Sequence, residues 1–115
     1  MVDYKDLMIM WLDEKCTHIV LDGTNTPIFV ERLVTDIPKQ RFNSDSISKE
    51  RFYDFLYERC FDESRPDKIE LLNLMGLNFY NPWEIVKKTH GVLTEDKCWI
   101  KFKGESLCWK DISNE

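Results

Sequence analysis

Glycine is scarce in this chain and its four copies are scattered, so no glycine-rich loop is present to cradle a nucleotide phosphate. The four cysteines, Cys16, Cys60, Cys98 and Cys108, form no CxxC pair, and His18 and His90 are the only histidines. A structural zinc set at short spacing is therefore missing. Cys16-x-His18 is the single close pair, and a metal there needs a distant partner from Cys60, His90, Cys98 or Cys108. The G-x-S-x-G, H-E-x-x-H and calcium-loop signatures are missing too. No apolar run approaches the roughly 20 residues of a membrane span. Leu7 to Leu12 is too short for a signal-peptide core and follows acidic rather than basic residues, which makes a cytoplasmic protein the expectation. Positive charge is in deficit, with 16 basic against 21 acidic residues and a net charge of −5. Direct nucleic-acid binding, which needs clustered Lys and Arg, is not expected, whereas a basic partner protein suits the charge.

What is there suits one α+β domain over residues 1–115, since 115 residues with 43% hydrophobic content supply one core. Leu7 to Leu12 and Thr17 to Leu21 read as short strands rich in Ile, Val, Met and Trp. "DGTNT" after Leu21 is turn chemistry. "PIFVERLV", Pro27 to Val34, fits a strand or a short helix, and its β-branched content favours the strand. "TDIPKQRFNSDS" reads as an irregular connection.

Helical signals occupy the centre. Ser48 is an N-cap, with Ile47 and Phe52 at the two positions of a hydrophobic staple. Phe52, Phe55, Leu56 and Cys60 then share one face. "DESRPDKIELLNLMG" restarts a helix, with Ser64 and Asp67 as a capping box and Pro66 in the first turn. Ile69, Leu72 and Met75 share its apolar face, Leu71 and Leu74 widen it, and Gly76 stops it. "YNPWEIVKKTHG" predicts a third helix from about Pro82 to His90. Asn81 caps it, Pro82 takes the first position, Glu84 completes the box and Tyr80 with Ile85 forms a staple. Lys87, Lys88 and His90 lie at the negative end of the dipole, and Gly91 ends it.

The C-terminal part predicts a β-hairpin of "KCWIKF" and "ESLCWKDI" turning at Lys103-Gly104. In that register Cys98, Ile100, Phe102, Leu107 and Trp109 face the core, and Trp99 faces away, over a helix or a partner. The fold expectation is thus α+β: N-terminal antiparallel strands, central helices and a C-terminal hairpin. Trp11, Phe52, Phe55, Leu56, Ile69, Leu72, Trp83, Ile100 and Trp109 are the expected core. The thiols are expected to be reduced and mostly buried.

No catalytic constellation emerges. His90 at a helix end is a capping or dipole partner before it is a general base. The distinctive surface is an acidic stripe, Glu50, Asp54 and Glu58, spaced by four and flanked by Tyr53 and Tyr57. Like charges four apart cost a helix about a few tenths of a kcal/mol per pair. With tyrosine anchors they suit a surface for a basic partner, and Trp99 joins them as a candidate contact.

From "RFYDFLYERC" onward the chain resembles the segment that precedes the kinase fold in HipA-type kinases. "FLYERCFDESRPDKIELLNLMGL", "HGVLTEDKCWIKF" and "LCWKDI" carry the resemblance. It also resembles small proteins of Gram-positive bacteria, some carried by mobile elements. No nucleotide loop, catalytic Asp or metal-binding Asp of a kinase follows, so the resemblance implies an accessory or regulatory module without kinase activity. The leading expectation is a non-enzymatic protein-interaction module without a cofactor. An acidic decoy that blocks a nucleic-acid-binding defence protein is the second, and a small Cys/His metal-binding protein using Cys16 and His18 the third.

Overall fold

The computed structural model describes residues 1–113. Its first strands are β1 (Asp3–Trp11) and β2 (Glu14–Leu21), joined by a tight turn at Leu12 and Asp13 in which Leu12 takes a φ of 54°. β3 (Pro27–Arg32) settles the ambiguous "PIFVERLV" as a strand. Three helices follow, α1 (Lys49–Glu58), α2 (Lys68–Leu74) and α3 (Pro82–Thr89). β4 (Cys98–Lys103) and the short α4 (Trp109–Ile112) are the last elements of the described residues. The sheet is antiparallel in the order β3-β2-β1-β4. The α+β reading therefore holds. No helix among the described residues is long and apolar enough to cross a membrane.

Alternation along the strands decides where the core lies. Leu7 and Ile9 pair across the sheet with Phe102 and Ile100 on one side, and Leu7 with Ile19 on the other. Their side chains share one face, and Phe52, Phe55 and Leu56 of α1 with Ile85 and Val86 of α3 close over it. Each such side chain contributes about 1.5–3 kcal/mol on burial. The predicted N-caps form on two of the three helices, although the Glu84 carboxylate, expected to complete a box, pairs with Lys87 at 2.9 Å. Ser48 Oγ accepts from Arg51 N at 3.0 Å, and Asn81 Oδ1 accepts from Trp83 N at 3.0 Å and Glu84 N at 3.3 Å. His90 takes the left-handed position after α3, with φ 59°.

The box expected before α2 does not form. The Asp67 carboxylate is taken by Arg65, with bonds of 2.9 Å to Nε and to Nη2, and makes no cap bond to the helix. A nearby guanidinium outcompetes a backbone N–H for that carboxylate because the bond is charge-assisted at both ends. The other end of α2 stops as expected: Gly76 has a φ of 76°, and Leu77 N donates to Leu72 O at 2.9 Å. Ile69, expected in the core, is 61% exposed, and Leu72 is the buried residue of this helix. Seven residues start too late and run too briefly to lay the whole apolar stripe against the sheet.

The C-terminal hairpin is the larger correction. β4 finds its partner in β1, and the expected return strand is irregular and then helical. Glu105 explains the departure. Its Oε1 accepts from Phe102 N at 2.8 Å, and its Oε2 meets His90 Nε2 at 2.8 Å. A side chain thus occupies a donor that a hairpin ladder would use. Asp111 then caps Cys108 N at 2.8 Å and starts α4. Gly104 makes the turn possible, since a Cβ there would lie 2.4 Å from the Met1 carbonyl oxygen. Leu107 and Trp109 are consequently half-buried rather than core residues. Trp99 lies opposite Met10, on the far face as predicted, yet it is fully buried and donates from Nε1 to Leu12 O at 2.6 Å.

One buried cation ties these elements together. Arg59, 3% exposed, follows α1 and chelates Asp96 through Nη1 and Nη2, each at 2.8 Å. It also donates to Gly91 O at 2.9 Å and Cys98 O at 2.7 Å. Arg41 reaches the same carboxylate at 2.7 Å. Burial works to raise the Asp96 pKa, but the bonds and charge of Arg59 overcome it and hold the group at about 2. Asp96→Asn leaves Arg59 buried without its counter-charge, and the expected loss is about 3–5 kcal/mol at pH 7, read by urea unfolding. Because the carboxyl pKa is depressed on folding, its contribution is present above the ordinary carboxylate range and lost as pH falls through about 2. The gap between wild type and Asp96→Asn should accordingly close as the unfolding series descends below about pH 4.

Candidate functional site

α1 presents two opposite faces. Phe52, Phe55 and Leu56 turn inward, and Glu50, Tyr53, Asp54, Tyr57 and Glu58 are all exposed. The structure thus brings together on one helix face five of the six residues singled out in the sequence. Trp99, the sixth, is withdrawn from any surface role by its burial. It pairs opposite Met10 at the Leu12 end of the sheet, and Trp109 N anchors the C-terminal segment to Asp13 Oδ1 at 2.8 Å in the same region.

The stripe runs into a groove. A cavity of about 900 Å³ opens between the end of α1, α2, the end of α3 and the 92–95 segment. Tyr57 and Glu58 belong to both the stripe and the groove wall. Phe61, Leu71, Met75 and Leu93 give the groove its apolar lining, and Glu58, Asp62 and Glu95 supply carboxylates. Two cations line it, and both are engaged: Arg59 with Asp96, and Arg65 with Asp67. Asp62 accepts from Ser64 N at 2.8 Å and Ser64 Oγ at 2.7 Å, and these bonds hold its carboxyl below the ordinary range. Tyr80 braces two aromatic residues of that lining, Tyr57 and Phe61. Tyr80 donates to Phe61 O at 2.6 Å and meets Tyr57 edge-on at 6.0 Å between ring centroids.

The groove was hidden in the sequence because its lining comes from four separate segments. One signal was available: Leu71, Leu74 and Met75 give α2 more apolar residues than one buried face requires. Leu74 is in fact 85% exposed.

The Cys and His residues occupy other environments. Cys16 is the extra residue where the β1–β2 register shifts, and it is fully buried. His18 meets Asp6 Oδ1 at 2.7 Å. No group of three or more His, Cys, Asp or Glu that could hold a metal ion occurs among the described residues. Burial pushes the Cys16 thiol up to about 11 and the Cys60 thiol up to about 12, and raises Cys98 as well. Thiols held protonated at neutral pH are poor nucleophiles and poor ligands. Cys108 alone among the four is exposed. A thiol reagent such as DTNB is therefore expected to modify Cys108 rapidly in the native protein and the other three only on unfolding. Rapid modification of the Cys108→Ser variant would contradict that burial.

No protein-family model matches this chain, and no curated protein or solved structure does either.

Proposed function

We propose that this protein is a non-enzymatic interaction module that docks a basic, apolar-anchored segment of another protein along α1 and into the adjoining groove. The supporting observation is the continuity of two features through Tyr57 and Glu58: an acidic, tyrosine-bearing helix face and an apolar groove edged by carboxylates. Each feature supplies what the other lacks. Charge alone gives fast encounter and salt-sensitive binding. Apolar anchors in a partly closed groove give residence time, and helix-in-groove docking uses that combination. Methionine at position 75 lets such a groove adapt to the incoming side chain. The resemblance to the segment preceding the kinase fold of HipA-type kinases points the same way, toward an accessory or regulatory part in a bacterium or on a mobile element.

The decoy reading uses the stripe without the groove, and the two separate by mutation. Leu71→Lys and Met75→Lys place cations in the groove at partly exposed positions. Glu50→Lys, Asp54→Lys and Glu58→Lys together invert the stripe. Immobilised wild type and both variants are compared for retention of proteins from a bacterial lysate at 0.1 and 0.5 M salt, with and without competing DNA. The module predicts a partner retained at high salt by the wild type, indifferent to DNA and lost from the groove variant. A partner lost only from the stripe variant and displaced by DNA favours the decoy and overturns the module. Equal retention by all three overturns both.

A further inference from the structure

In a chain of net charge −5, one cleft is lined by three arginines and by no carboxylate. A cavity of about 440 Å³ is lined by Arg32, Arg41 and Arg51, with Phe42 and Ile37 as its apolar wall. Arg32 is the last residue of β3, Arg41 belongs to the connection that follows, and Arg51 sits in the first turns of α1. Arg32 donates from Nε to Asp45 Oδ1 at 2.7 Å and from Nη1 to Phe42 O at 3.3 Å. Arg41 donates from Nη2 to Asp96. Arg51 donates from Nη2 to Arg41 O at 2.9 Å and lies 4.9 Å over the Phe42 ring.

A guanidinium carries five N–H donors, so each keeps donors beyond these bonds. Arg41 Nε is buried with no acceptor among the described residues. Counter-charge is short as well. Asp45 pairs with Arg32 from a side chain that is 71% exposed, and Asp96 is shared between Arg41 and Arg59. Two carboxylates thus serve three guanidiniums, and Arg51 bonds a backbone carbonyl instead. The wall between them is fixed: Gln40 accepts from Thr17 Oγ1 at 3.0 Å and Phe42 N at 3.1 Å, and donates to Val34 O at 2.8 Å.

We infer that this cleft binds a small phosphate ester. Three guanidiniums lining one cleft suit the oxygens of a tetrahedral dianion, and such planar forks recognise phosphate with two bonds each. The volume falls within the roughly 300–1,000 Å³ of small-molecule sites. The outlying Ile37, 87% exposed, offers the organic part an apolar surface. The exposed Asp45 pair is weak enough to yield to such a ligand.

The test follows the side-chain Nε–Hε signals of Arg32 and Arg51 by NMR at constant ionic strength. Inorganic phosphate and phenyl phosphate are the probes, and acetate and benzoate the controls. Saturable shifts with both phosphates, phenyl phosphate binding the tighter, are expected, with acetate and benzoate at least about tenfold weaker. Arg51→Gln and Arg32→Gln should each weaken phosphate binding by about tenfold or more, and Lys101→Gln should leave it unchanged. Linear shifts, equal response to the carboxylates, or indifference to both arginine variants would overturn the site.

Discussion

The chelation of Asp96 by Arg59 is the constraint on which the rest of the molecule depends. It joins residues 37 positions apart at a site where Arg59 is almost wholly inaccessible. A buried guanidinium without a counter-ion is costly, so the end of α1 and the segment before β4 must stay together. Through Gly91 O and Cys98 O the same side chain also fixes the exit of α3 and the entry of β4. Arg41 extends the network to the connection before α1, 55 residues from Asp96. One carboxylate consequently positions the groove wall at Glu95 and the arginine cleft at Arg41.

That shared anchor explains how a small chain displays two surfaces of opposite sign. α1 participates in both. Its exposed acids and tyrosines face outward, while Arg51, in the same helix, turns over Phe42 into the cationic cleft. Such polarity gives an approaching partner a direction, because the summed field rather than the net charge steers encounter. The scarcity of glycine excludes phosphate binding by a glycine-rich backbone cradle, and guanidiniums supply a separate route to the same chemistry.

Local chemistry was legible wherever neighbours in sequence set the outcome. The alternation of β1 and β2, the Ser48 and Asn81 caps, the inward face of α1 and the stop at Gly76 all follow from side chains within a turn or two. The exposed stripe of Glu50, Tyr53, Asp54, Tyr57 and Glu58 followed for the same reason, because α1's period of 3.6 leaves those positions opposite Phe52, Phe55 and Leu56. The C-terminal hairpin misled because "KG" is credible turn chemistry, yet Glu105 diverts a ladder donor and β1 offers β4 a better neighbour. Trp99 was assigned the right face, but burial removes it as a partner contact, since face comes from alternation and exposure from whatever else arrives.

The amino-acid sequence by itself determined the α+β class, the starts of α1 and α3 and the acidic exterior of α1, because those depend on periodicity and capping over short separations. Only the tertiary structure decided which strand β4 joins, that Arg59, Arg41 and Asp96 meet, and that separate segments enclose the groove and the arginine cleft. Pairing between distant charges and the closing of cavities are set by how the elements pack, and no local pattern encodes that.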